Sequence, residues 1–374
     1  MSAIYKKLEE VCEILDSRRV PITAKNRKTG IYPYYGANGL QDYVAEYIFD
    51  DELVLLAEDG GNFGSKERPI AYRVSGKCWV NNHAHVLKAK PLVNADYLCY
   101  ALMFYDTEGL VNGATRQKLT QTAMRQMMIP YRNMTEQLQI ADEINQVIRL
   151  IDKRKEELSL LDQLVKSRFI EMFGSGRYPT VIASEVCDFI TKGTTPPTGE
   201  ITEKYEIGMI PYLKVYNLSF TGELLFDNMP QYISADTHNK QLARSKVLPN
   251  DVLMNIVGPP LGKFSLVTDE FSEWNINQAI AIFRAKDRVL PRYLMAALMQ
   301  PNVLRPFLEQ AVGIRQLNLS LEQCRNLEFP LPPIEEQRAF VELSEQTDKS
   351  KLAVEKSLKQ LEILKKSLMN QYFS

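Results

Sequence analysis

The chain has 374 residues, 45% of them hydrophobic, with 45 Lys and Arg against 46 Asp and Glu, so it is too long for one ordinary domain and too apolar to be disordered. Its net charge of −1 speaks against a uniformly basic nucleic-acid binder, and its five Cys, without a CxxC pair, argue against a disulfide framework and a structural zinc site and point to a reducing cytoplasm. The longest apolar runs, such as YLCYALMFY at 97–105, are shorter than the roughly 18–20 residues a membrane span needs, and the opening MSAIYKKLEE has no apolar core of a secretory signal.

The first 132 residues mix short β-like runs with turn residues and one helix, which predicts a compact α/β globule. SRRVPITAKNRK at 17–28 is the most basic stretch and supplies Arg18, Arg19, Lys25, Arg27 and Lys28 as candidate DNA contacts. The strand-like LVLLA at 53–57 runs into the polar loop AEDGGNFGSKER at 57–68. There Asn62, Ser65, Lys66 and Arg68 either meet phosphates or are simply solvated. In CWVNNHAH, His83 and His85 would share one face of a strand, but only His238 lies elsewhere, so no metal is expected and His85 is placed in or beside the core. Asn82 and His83 carry side chains that hydrogen-bond base edges, while Asn equally stabilises turns. A helix is predicted near 94–105, and Arg116-Gln117 follow it.

Residues 133–173 contain no Gly or Pro and are rich in Glu, Lys, Leu, Gln and Ile, which predicts one helix about 60 Å long. Alternating steps of four and three give Ile140, Ile144, Val147, Ile151, Arg154, Leu158, Leu161, Val165, Arg168 and Met172, a narrow coiled-coil seam.

A second α/β globule spans 178–332. Its loop TKGTTPPTGE offers Lys192, Thr194 and Thr195 as phosphate contacts. Its basic residues are looser: Lys240, Arg244 and Lys246, then Arg284, Lys286, Arg288 and Arg292. GPPLGKFS at 258–265, which contains Lys263, resembles a phosphate loop, but three residues separate Gly258 from Gly262 and Phe264 stands where Ser or Thr would bind magnesium. It reads as a turn between the strand VLMNIV at 252–257 and the next. Nor is it a methyltransferase NPP-aromatic motif, because Gly258 and Leu261 replace the Asn and the aromatic residue. EWNINQA places Asn277 and Gln278 opposite Asn82 and His83, and Arg315-Gln316 answer Arg116-Gln117. Each Arg can grip guanine or phosphate, or hold the globule to a helix. The closing helix, 333–373, has a poorer seam of Phe340, Ser344, Thr347, Lys351, Val354, Leu358, Leu361, Lys365, Leu368 and Tyr372.

These parallels are one internal repeat. LDQLVKSRFIEMFG at 161–174 aligns with LEILKKSLMNQYFS at 361–374, Pro130 with Pro330 and Glu136-Gln137 with Glu336-Gln337, at a constant offset of 200. Upstream the offsets vary, as loops do: EVC at 10–12 matches EVC at 185–187, IYPYY at 31–35 matches IPYLK at 210–214, and YLCYALM at 97–103 matches YLMAALM at 293–299. The economical arrangement packs the two long helices antiparallel.

Globule, helix, globule, helix, with FPLPPIEEQ at 329–337 echoing IPYRNMTEQ at 129–137 and GATRQKLT echoing GIRQLNLS, resembles the specificity subunit of type I restriction-modification systems over essentially the whole chain. The resemblance implies two target recognition domains, 1–132 and 178–332, each reading one half of a split asymmetric target in double-stranded DNA. The helical segments 133–177 and 333–374 would space the half-sites and dock two methyltransferase (modification) subunits, which restriction (motor-nuclease) subunits join. It further implies a non-catalytic cytoplasmic chain without cofactors of its own, S-adenosylmethionine belonging to the methyltransferase, and ATP and Mg to the motor. Two alternatives stand beside it: a partner in which methylase and nuclease are fused, and a coiled-coil scaffold that does not contact DNA.

Overall fold

The computed structural model describes residues 4–113, 116–311 and 317–373. It forms two compact units, Met1–Lys155 with Lys356–Ser374, and Glu156–Glu355, so the division crosses both long helices rather than falling between globule and helix.

In the first unit, Ile4–Lys7 pairs antiparallel with Met128–Tyr131 and ties the two ends of the globule together. Between them lies a six-stranded sheet in the order Cys12–Ile14, Ala84–Ala89, Phe49–Ala57, Ala71–Val80, Thr29–Gly36, Gly39–Val44. Neighbours are antiparallel except Thr29–Gly36, which runs parallel to Ala71–Val80. Phe49–Ala57 is buried on both faces from Leu53 onward, and the alternation of a strand divides it between two cores. Val54 and Leu56 pack with Leu98 and Leu102 of the helix Ala95–Met103, while Leu53 and Leu55 pack with Val74 and Val86 on the other side. That helix starts where expected, because the Asn94 side chain accepts the Tyr97 amide as its cap.

The second unit repeats the plan. Thr180–Ile182 pairs with Glu328–Pro330, and an antiparallel sheet runs Cys187–Lys192, Ile280–Ala285, Val252–Asn255, Phe264–Leu266. A second sheet, which the sequence did not reveal, runs Tyr232–Ile233, Ile210–Leu213, Trp274–Ile276, Lys246–Val247. Its Ile210–Leu213 and Trp274–Ile276 strands are parallel, as their counterparts are in the first unit. Val252 and Met254 face a core containing Phe264, Phe283 and Tyr293, and Leu253 faces another containing Trp274 and Ile282. The strand at 252 stops at Asn255, before the GPP turn. There the Asn255 side chain donates to the Pro260 carbonyl at 2.9 Å and accepts the Lys263 amide at 2.7 Å.

The long helices are Met134–Phe173 and Ile334–Phe373, 40 residues each. Every seam position read from the sequence is buried or half-buried. In the first unit, Ile140 and Ile144 pack with Tyr97, Tyr100 and Met369, and the Tyr372 hydroxyl donates to Glu143 at 2.7 Å. In the second, Phe169 and Phe173 pack on Phe340, and Lys351 pairs with Asp162.

The glutamines of the repeated EQ pair fix each helix start to its globule. Gln137 is fully buried; its amide nitrogen donates to the Leu92 and Arg132 carbonyls at 3.1 and 2.8 Å, and its oxygen accepts the Asn94 amide at 2.8 Å. Gln337 does the same with Arg288, Pro332 and Leu290 at 3.1, 2.9 and 2.9 Å. The Tyr97 hydroxyl donates to the Pro130 carbonyl as Tyr293 does to Pro330. Phe373 packs on Tyr97 and Phe173 on Tyr293, both with ring centroids 5.1 Å apart.

Candidate nucleic-acid interface

In the first unit the segment after Phe49–Ala57 lies across two turns. The Glu58 amide donates to the His83 carbonyl at 2.8 Å, the Gly60 amide to the Gln117 carbonyl at 3.2 Å, and the Leu119 amide to the Glu58 carbonyl at 2.7 Å. These backbone bonds bring Asn82, His83, Arg116 and Gln117, scattered in sequence, to one corner. Asp59 Oδ1 receives His83 Nδ1 at 2.5 Å and Arg116 Nη2 at 2.9 Å, and Lys118 pairs with Glu58 at 3.0 Å. Arg116 therefore bonds to Asp59, beside His83, rather than to a long helix. Asn82 and Gln117 are exposed beside it.

Behind this corner lies a buried ionic network. Asp16, Glu58 and His85 bring possible ligand atoms within 4.8 Å of one another, which is metal-like spacing. The cation at this place is Arg19, whose Nη1 reaches Glu58 at 2.6 Å and the Ala84 carbonyl at 2.8 Å, with Nη2 3.5 Å from Asp16. His85 places Nδ1 2.7 Å from Asp16 and Nε2 2.9 Å from the Leu119 carbonyl, so both ring nitrogens face acceptors. Burial pushes the Asp16 carboxyl up, but His85, the Val86 amide and Arg19 outweigh it and hold the group below its ordinary value. For Glu58 burial is likewise outweighed, by Arg19, Lys118 and His85.

The other basic candidates divide by engagement. Arg19, with a side chain 13% exposed, has an internal role that the run SRRVPITAKNRK disguised. Arg18 sits over the Phe49 ring at 4.9 Å, 3.8 Å from Asp51. Arg27 covers the Tyr34 ring at 4.1 Å and bonds to Asp42 at 3.3 Å. Lys25, Lys28, Lys66 and Arg68 are exposed. Ser65 is committed to its own loop, its hydroxyl accepting the Glu67 and Arg68 amides, and Asn62 donates to the Pro69 carbonyl at 3.5 Å.

A different chemistry gathers in the second unit. Gly193 lies so close to the turn after Trp274–Ile276 that a Cβ there would stand 2.2 Å from the Ile276 and Asn277 carbonyl oxygens. This contact sets Lys192, Thr194 and Thr195 beside Asn277 and Gln278. Thr194 Oγ1 accepts Arg244 Nε at 3.0 Å, and Thr195 Oγ1 the Gln278 amide at 3.5 Å. Lys192, Thr195, Arg244 and Gln278 are exposed. Lys240 is exposed and paired with Asp236 at 2.6 Å, and Lys263 lies 5.8 Å from the Phe220 ring centroid. Lys246 bonds to Asn239 and Glu273, Arg284 to Asp251 through two nitrogens at 2.8 and 2.7 Å, and Arg292 to Asp348. Lys286 donates to the Glu185 carbonyl. Arg315 and Gln316 lie outside the described residues.

Two sequence pairings need correction. The Asn81 amide donates to the Tyr35 carbonyl and its side chain accepts the His83 amide; Asn277 does the same with Leu213 and Ala279. The counterpart of Asn277 is thus Asn81, and that of Gln278 is Asn82. Likewise Gly258 donates to the Leu317 carbonyl as Gly60 does to Gln117, so Leu317 rather than Gln316 stands opposite Gln117. The carboxylates Asp16, Glu58 and Asp59 belong to no motif; EDGG at 58–61 is the local signal of the last two alone.

All five cysteines are free and buried. Burial pushes the Cys12, Cys99, Cys187 and Cys324 thiols up to about 12, far from the reactive thiolate range. Among the described residues no helix is long and apolar enough to cross a membrane.

Comparison with known proteins agrees with this duplicated architecture. A Haemophilus influenzae protein named as a type I restriction enzyme specificity subunit is 26% identical over 98% of this chain and 95% of its own length. The MjaVIII specificity subunit of Methanocaldococcus jannaschii is 21% identical over 97% and 90%. In fold, the type I restriction-modification S subunit from M. genitalium superimposes with a TM-score of 0.59 at 12% identity, covering 100% of this chain and 96% of that one. A chain from a study of complex assembly and conformational transition of the type I R-M system gives 0.57 at 17% identity, covering 99% and 97%. The sequence model for the type I restriction modification DNA specificity domain matches residues 4–160 and again 180–363, and the chain belongs to that family.

Proposed function

We propose that this chain is the cytoplasmic, non-catalytic reader of a type I restriction-modification complex, each unit recognising one half of a split asymmetric sequence in double-stranded DNA. The observation that carries the reading is duplication with divergence. The clamps at Gln137 and Gln337, Tyr97 and Tyr293, and Phe373 and Phe173 repeat in detail. Among the described residues the candidate reading corners differ: an Arg-Asp-His group in one unit, a threonine-amide group in the other. Conserved supports under unlike surfaces suit two readers of different half-sites. The long helices serve as an antiparallel coiled coil that sets the half-site spacing and docks two methyltransferase subunits. The buried seams, the Lys351–Asp162 pair and the Tyr372–Glu143 bond support that reading. S-adenosylmethionine belongs to the methyltransferase subunits, and ATP and Mg to the motor-nuclease subunits.

Near-neutral charge fits a reader whose partners supply much of the phosphate-binding charge. The test is methylome sequencing of a host carrying the partner methyltransferase with and without this gene. Adenine methylation at a split asymmetric sequence should appear only with the gene; identical patterns would refute the function.

A further inference from the structure

Among the described residues, the Asp59–His83 pair beside Arg116 has no counterpart in the second unit. There the backbone is bonded in the same way, Ile256 to Ala279 at 2.8 Å, Gly258 to Leu317 at 2.9 Å and Leu319 to Ile256 at 2.9 Å. Those bonds align Val257 with Asp59 and Ala279 with His83, so the carboxylate and the imidazole occur together in one unit alone. We propose that Asp59 is a positioning residue for base reading by the first unit, aiming the Arg116 guanidinium, with His83 beside it, at a guanine of the half-site that unit recognises. The inference rests on the DNA-reading function proposed above.

The geometry carries it in three ways. Arg116 is 59% exposed and Asp59 18%, so the carboxylate is set back while the fork stands out toward solvent. Asp59 Oδ1 accepts from both Arg116 Nη2 at 2.9 Å and His83 Nδ1 at 2.5 Å, so one carboxylate oxygen holds the guanidinium and the imidazole side by side. Gly60, at φ 63°, lies against the guanidinium, a Cβ built there coming to 3.5 Å from Arg116 Nε and 3.6 Å from Nη2, so the turn backs the arginine.

An exposed Arg–Asp pair adds little to stability. What it adds is aim, because an arginine held by a carboxylate has fewer rotamers to lose on binding. A guanidinium fork matches the O6 and N7 acceptors of guanine in the major groove, whereas adenine places an amino donor beside its N7. A carboxylate behind the fork also offsets its charge, which weakens indiscriminate attachment to phosphates.

The full chain, assembled with its methyltransferase subunits, tests this in two ways. Methylome sequencing of R116A, D59A and D59E complexes should show one guanine of one half-site losing its preference by roughly 10- to 100-fold in R116A. The same position should relax in D59A and recover in D59E, with the other half-site read unchanged. Independently, binding of the wild-type complex to duplex with 7-deazaguanine at that position should weaken about tenfold, and binding of R116A should not change. An R116A complex that keeps the wild-type motif, or an equal loss with 7-deazaguanine in wild type and R116A, overturns the proposal, whether or not D59A folds. A wild-type complex that methylates no split sequence would instead refute the DNA-reading function, an outcome no unit-one variant imitates because the second half-site is still read.

Discussion

Gln337 offers a direct measure of how firmly a globule is fixed to its helix. Replacing it with Ala removes three hydrogen bonds from a fully buried site and leaves the Leu290 amide and the Arg288 and Pro332 carbonyls without their partner. An unmade buried bond costs about 1–3 kcal/mol, and carbonyl oxygens tolerate the loss better than an amide, so Q337A should destabilise the second unit by about 3 kcal/mol. Gln137 makes the same bonds, and Q137A should cost the first unit a similar amount. Q337E keeps the acceptor but turns an oxygen toward two carbonyls, so at neutral pH it should be worse than Q337A. Urea denaturation of the purified chain followed by circular dichroism gives the comparison, with Q139A as control because Gln139 is exposed and bonds only to Glu143 across one turn. A Q337A shift no larger than that of Q139A, under about 0.5 kcal/mol, would refute the clamp.

Phe173 is 2% exposed and packed among Phe169, Tyr178, Tyr293 and Phe340, so F173A should cost about 3–5 kcal/mol; F373A, at a half-buried ring, should cost less in the same urea titration. R19A should destabilise the first unit by about 2 kcal/mol, because it removes the bonds to Glu58 and the Ala84 carbonyl while Asp16 keeps His85 and Glu58 keeps Lys118; a loss below about 0.5 kcal/mol would show Arg19 to be a surface residue. Asp16 and Glu58 are held below their ordinary values of 3.8 and 4.5, so the unfolded chain takes up protons first. The stability they provide is complete above those values and lost as pH falls through their folded values, and the urea midpoint of D16N should fall less than that of wild type as pH is lowered below about 4. In the second unit burial, with Lys246, pushes buried His238 down, while its Nδ1 accepts the Asn275 amide at 3.0 Å. Its neutral form is therefore favoured, and H238Q should flatten the loss of stability as pH falls below about 6.5 in thermal melts.

How much was legible in the sequence depends on what each residue answers to. Gln137 and Gln337 were visible as a repeated pair though not as clamps, because the helix starts repeat without a gap while the backbone groups they bind, at 92, 94, 288 and 290, lie more than 40 residues upstream. The seams were legible because helical periodicity survives substitution, even where the partners are Thr347 and Lys351. Asn277 was matched with Asn82 instead of Asn81 because NNH offers two equivalent asparagines, and only the carbonyl each amide meets separates them. Arg19 read as a surface cation because its partners lie at 58 and 84, beyond any local pattern. The second sheet of the second unit escaped notice because its strands are two to four residues long, too short for alternation to register.

The division of the chain into units has a consequence for synthesis. The first unit is discontinuous, built from Met1–Lys155 and Lys356–Ser374, while the second, Glu156–Glu355, is continuous. A ribosome therefore delivers every residue of the second unit before the first has received residues 356–373, and Tyr97 meets Ile140 and Ile144 long before Phe373. The N-terminal globule is thus finished last. A frameshift within codons 356–373 would strike the unit whose synthesis began first, and leave the unit made in between whole.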